Sequence, residues 1–145
     1  MIAMSNLIQI VTKLKEIAES VPSINTVSDE NIYDLMNGNR QIKYGCFVIS
    51  QGTHRMLDNQ MWFSFNLFYI DRLVDNLETN RLQVQSTAID VLKNIINQFL
   101  EETNFDRTEV AFEVFTERFQ DLCAGAYANL SIVVPIDDCY MDYNS

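Results

Sequence analysis

Residues 61–70 read MWFSFNLFYI, and this stretch constrains the fold more than any other. Its density of aromatic and β-favouring side chains predicts a strand. Strand geometry alternates side chains between two faces, so Met61, Phe63, Phe65, Leu67 and Tyr69 share one face and Trp62, Ser64, Asn66, Phe68 and Ile70 the other. The first face is apolar throughout. The second is polar only in its middle, so it too asks for partial cover. Residues 42–51, IKYGCFVISQ, predict a second strand, and GTHRMLDNQ between the two supplies turn residues for an antiparallel hairpin with a longish loop.

The remaining elements follow from periodicity. Leu7, Ile8, Val11, Leu14 and Ile17 recur at helical spacing and predict an amphipathic first helix, ended at Val21-Pro22-Ser23 because proline lacks an amide hydrogen and disfavours helix before it. Residues 24–41 read as a connector with one short strand or helical turn, and Asn37-Gly38-Asn39 is a turn signal. From Thr79 to Glu101 a second helix carries Leu82, Gln85, Ala88, Ile89, Leu92, Ile95, Ile96 and Phe99 along one side, with Thr79 and Asn80 as candidate N-caps. Residues 109–120 and 126–135 predict two strands around a bend at Cys123-Ala124-Gly125. The expected fold is α+β in αββαββ order: a four-stranded, mainly antiparallel sheet with two helices packed on one face.

At 145 residues the chain reads as a single domain, 1–145, with residues 136–145 as an acidic C-terminal tail. Ten basic and twenty acidic residues give a net charge of −10, which repels phosphate backbones and anionic headgroups. No nucleic-acid sequence reader and no membrane partner are expected. The first twenty residues interrupt apolar positions with charge, against a signal peptide or membrane span. Cys46, Cys123 and Cys139 are too few and too widely spaced for a disulfide framework or zinc site and read as reduced thiols, in a cytoplasmic setting.

Chemistry-bearing patterns are sparse. His54 is the sole histidine, beside Arg55 and Asp58; an enzymatic reading would recruit it with Cys46 or Ser50 as nucleophile. Asp137, Asp138 and Asp142 could offer oxygen ligands but lack calcium-loop spacing. Glycines at 38, 45, 52 and 125 build no phosphate-cradling loop, and Glu101-Glu102 and Glu109, Glu113 and Glu117 read as solvated charges. No catalytic residue, cofactor or metal is expected. What stands out is apolar surface: two helices cover one face of such a sheet, and aromatic side chains remain on the other for a neighbouring chain, or for residues 24–41 folding over it.

Two stretches carry a resemblance. YIDRLVDNLETNRLQVQSTAIDVLKNII, residues 69–96, joins an aromatic strand through Asp71-Arg72-Leu73 to a helix opened by Asn80-Arg81 and Gln85-Ser86. The closing stretch contains Glu117-Arg118-Phe119, Asp121 and Cys123-Ala124-Gly125. Together they resemble the head-to-tail connector, tail-completion and tail-terminator ring proteins of tailed bacteriophages, particularly those of crAss-like phages, over roughly residues 1–136. The resemblance implies a tail-terminator-like fold and a structural virion protein, assembled in the host bacterial cytoplasm. It implies a homo-oligomeric ring of six or twelve copies at the head-to-tail junction, contacting portal, connector or tail proteins, with DNA sliding past an acidic, non-adhesive wall. It places the loop Gly52–Asn59 against a neighbour or the lumen, and the closing hairpin at subunit or ring-to-ring contacts. The candidate interface residues are Gly52, His54, Arg55, Asp58, Trp62, Phe68, Glu113, Glu117 and Tyr127. The alternatives are a small cytoplasmic binding module or dimeric adaptor, and an enzyme using His54 and Asp58.

Overall fold

The computed structural model describes residues 6–38, 41–74, 78–107, 109–119 and 121–135. Among them a mixed seven-stranded sheet and three helices form an α+β architecture. The four-stranded, mainly antiparallel sheet with two helices expected from the sequence is therefore too simple. β4 (Gln60–Arg72) and β7 (Leu122–Pro135) form the spine, antiparallel without interruption from Gln60 opposite Pro135 to Arg72 opposite Cys123. β2 (Cys46–Gln51) and β3 (Arg55–Leu57) pair with the far side of β4, and β1 (Thr26–Ser28) runs parallel to β2. β5 (Asp106–Arg107) and β6 (Ala111–Arg118) pair with the far side of β7.

The alternation in β4 holds. Phe63, Phe65, Leu67 and Tyr69 are buried in the main core with Phe47 and Ile49 of β2 and Ala126, Ala128, Leu130, Ile132 and Val134 of β7. α1 (Leu7–Glu19) and α3 (Glu78–Thr103) cover this face, as expected, through Ile10, Leu14, Ile17 and Ala18 and through Ala88, Leu92, Ile95, Ile96 and Phe99. Asn6 caps α1, its side-chain oxygen accepting from the Gln9 amide at 3.0 Å. Lys13 of α1 meets Glu102 of α3 at 2.9 Å.

Several details differ from the sequence reading. Ile8, placed on the apolar stripe of the first helix, is 77% exposed, and Ile10 takes the core position instead. Leu82, placed on the stripe of α3, is 56% exposed, and the described buried stripe of the helix begins at Ala88. Thr79 and Asn80 lie inside α3 and not at its cap; the Asn80 side-chain oxygen accepts from the Val74 amide instead. α3 closes on Asn104, whose φ of 56° and amide bond to the Leu100 carbonyl at 2.8 Å make a left-handed C-terminal cap.

The connector holds both a strand and a helix. α2 (Ile32–Asn37) is capped by Asn31, whose side chain accepts from the amides of Tyr33 and Asp34. It packs on the second face of the sheet, where Leu35 and Met36 join Cys46, Val48, Ile70, Phe119 and Cys123 in a separate small core. The expected bend at Cys123-Ala124-Gly125 is absent: all three residues lie within β7, and the reversal falls at Phe119–Asp121, where the Phe119 amide donates to the Asp121 carbonyl at 3.0 Å. The turn signal at Asn39 and the acidic tail 136–145, with Asp137, Asp138, Cys139 and Asp142, lie outside the described residues.

Candidate functional site

The hairpin of β2, β3 and β4 turns at Asp58-Asn59, with φ of 50° and 65°. A two-residue turn with both central residues left-handed matches the right-handed twist of its flanking strands, which is why Asp and Asn serve there. The expected long loop Gly52–Asn59 thus holds a short strand, β3, set between the break Gly52-Thr53-His54 and the turn Asp58-Asn59.

His54 repairs that break. The Ser64 amide of β4 donates to His54 Nδ1 at 3.2 Å, standing in for a missing main-chain acceptor. Because an amide can only donate, Nδ1 is unprotonated, so Nε2 carries the proton and donates to Gln51 Oε1 at 3.0 Å. The ring also lies 5.5 Å from Phe63 and 5.6 Å from Phe65. His54 therefore sits on the helix-bearing side of the sheet with both nitrogens engaged. Cys46 and Ser50, its suggested nucleophiles, point to the opposite face, by their register with Ile70 and Asn66. Substituting His54→Ala should remove the acceptor and the ring contacts together, costing about 1–2 kcal/mol and lowering Tm by roughly 5 °C. A thermal melt checks this, and an unchanged Tm would contradict the bridging role.

The two described cysteines are inert in this fold. Burial pushes the Cys46 thiol up to about 12 and the Cys123 thiol up to about 11, so both stay protonated at neutral pH. Tyr44 beside them donates to Asp121 Oδ2 at 2.7 Å, tying the start of β2 to the β6–β7 reversal. Among the described residues, no three His, Cys, Asp or Glu side chains are grouped to hold a metal ion, and no helix is long and apolar enough to cross a membrane.

Among the described residues, the second face of the sheet is covered at one end only. α2 and its flanks roof Ile70, Val48, Cys46 and Cys123; away from them, Trp62, Ser64, Asn66 and Phe68 of β4 and Tyr127, Asn129, Ser131 and Val133 of β7 remain half-buried or exposed. Residues 31–38 thus close one half of this face, as the connector reading expected in part, and among the described residues the other half stays open. The open half is organised by cross-strand pairs. Ser64 and Ser131 hydroxyls meet at 2.8 Å, and Asn129 Nδ2 donates to Asn66 Oδ1 at 3.0 Å. Phe68 stacks on Tyr127 at 5.3 Å and meets Phe115 edge-on at 6.3 Å. The Tyr127 hydroxyl donates to Glu113, whose carboxylate raises the phenol above its ordinary range. The Trp62 indole nitrogen is buried without a partner among the described residues, a cost of about 1–3 kcal/mol that the domain carries.

Of the candidate interface residues, the fold brings Arg55, Trp62, Phe68, Glu113, Glu117 and Tyr127 to this one face, by the registers of β3 with β4, β4 with β7 and β6 with β7. It turns His54 to the other face, leaves Gly52 at the strand break, and puts Asp58 at the hairpin tip. Sequence reading missed Met56 and Leu57, which are 72% and 60% exposed and line, with Arg55 and Trp62, a depression of about 350 Å³. Their signal was available: two apolar residues directly before a tight-turn dipeptide. In comparisons with known proteins, no family model matches this chain and no curated protein matches it.

Proposed function

We propose that this chain is a structural subunit that works by assembling with copies of itself into a closed ring, the role its resemblance to phage connector and tail-terminator proteins implies. The observation that carries the reading is the exposed hairpin tip of Met56 and Leu57, continuous with an uncovered, aromatic half of the sheet. A soluble single-chain domain gains nothing by leaving two large apolar side chains at a strand edge, whereas a subunit that buries them against a neighbour does. A heterologous contact that closes on itself gives a finite ring. In the proposed role the ring joins portal or capsid to tail within the virion, and the net charge of −10 keeps the channel wall from gripping DNA.

Negative-stain electron microscopy of the purified protein tests this. The expected images are rings with a central hole and a single copy number, six or twelve. Uniform compact particles of one or two chains would overturn the reading and favour a monomeric or dimeric binding module.

A further inference from the structure

Resting on the ring reading, we infer that the junction between neighbouring copies is an antiparallel strand pairing in which β3 of one copy docks on the free edge of β6 of the next. Both edges are open among the described residues: β3 pairs only with β4 and β6 only with β7, and they border opposite sides of the sheet. Unpaired main-chain donors and acceptors on such edges template pairing with another chain.

Direction and face both match. Every pairing along β3, β4, β7 and β6 is antiparallel, so β3 and β6 run in opposite senses. A second copy placed beside the first in the same orientation therefore brings its β3 antiparallel to β6, and the helix-bearing faces of the two sheets become continuous. Gln85 of α3 donates to the Phe115 carbonyl at 3.2 Å, which occupies the far part of the β6 edge and leaves residues 111–114 for a three-residue strand. Setting β3 there, with Arg55 opposite Glu113, puts Leu57 opposite Ala111 on the same face. Met56 falls opposite Phe112 on the other face, with Val114, 49% exposed, diagonal to it.

The side chains are complementary in that register. Arg55 shares a face with Trp62, and Glu113 shares that face with Tyr127, so the cation meets the carboxylate without crossing the sheet. Met56 and Val114 are both largely open to solvent within the copy, at 72% and 49% exposed, and the pairing adds cover to both. A self-complementary pairing of β6 with β6 would instead set Glu113 opposite the Glu113 or the Glu117 of the second copy, which like-charge repulsion disfavours.

Charge reversal tests the pairing by sedimentation velocity. Arg55→Glu alone and Glu113→Arg alone should each weaken assembly at least tenfold in midpoint concentration. Mixed in equal amounts, the two variants restore it, because each supplies the charge the other's edge now needs. Rescue on mixing cannot come from misfolded chains, so folding defects do not mimic the result. If the wild type assembles and either variant assembles equally well, the edge pairing is overturned and the ring reading stands. If both variants are weakened and the mixture does not recover, the pairing is overturned too. If the wild type stays a single chain, both readings fall.

Discussion

Gly125→Ala should cripple the fold, though it adds only one methyl group. Gly125 sits in β7 between two partner strands, opposite Ile70 of β4 and Phe115 of β6. A Cβ there would stand 2.0 Å from the Tyr69 carbonyl oxygen and 3.0 Å from its carbon. Both are main-chain atoms of the central strand, so no side-chain rotation relieves the overlap; the β4–β7 ladder itself would have to part. Overpacking against rigid neighbours costs about 3 kcal/mol or more, a large share of the 5–15 kcal/mol that holds a typical domain together. The expected Tm loss is roughly 10 °C, measured by circular dichroism. A variant that melts within about 2 °C of the wild type would mean that β4 and β7 do not meet in this register.

Phe65→Ala is the second large effect. Phe65 is fully buried at the middle of β4, opposite Leu130 of β7 and beneath the His54 ring. Truncation removes the burial of a large ring and leaves a cavity that the surrounding sheet and helices can fill only in part, costing about 3–5 kcal/mol. Phe68→Ala, three residues on and facing the open half, should cost roughly half as much, because its ring already meets solvent and loses mainly the contacts with Tyr127 and Phe115. Chemical denaturation of the pair measures the contrast. Equal losses would contradict the assignment of the helix-bearing face as the main core.

That assignment was readable before any coordinates, because a two-residue alternation of large apolar side chains leaves little freedom in which face is buried. The same holds for α3, where Ala88, Leu92, Ile95, Ile96 and Phe99 recur over three turns. Gly125 was misread for a physical reason. Glycine marks both turns and places where backbones crowd, and only the flanking residues separate the two uses: here small Cys123, Ala124 and Ala126 precede a long run of β-formers. α2 was half-legible, since Asn31 followed by Ile32, Leu35 and Met36 has the cap and the spacing of one helical turn, yet six residues fall short of a periodic signal. The bridging role of His54 had no local signature, because it depends on Ser64 arriving across the hairpin in one register. The open half-face was the expected consequence of the apolar second face of β4. Its extent was not, because tertiary packing of residues 31–38 decides how much is roofed.

The claim on which the account stands is that the hairpin tip and the uncovered half of the sheet are buried between copies of this chain. Sedimentation velocity of the wild-type protein across a concentration series in moderate salt tests it most directly. The account predicts one sharp species at about six or twelve times the mass of a single chain, formed at micromolar concentrations, with no single-chain boundary left at high concentration. A single-chain boundary that persists to the highest concentration reached would contradict it.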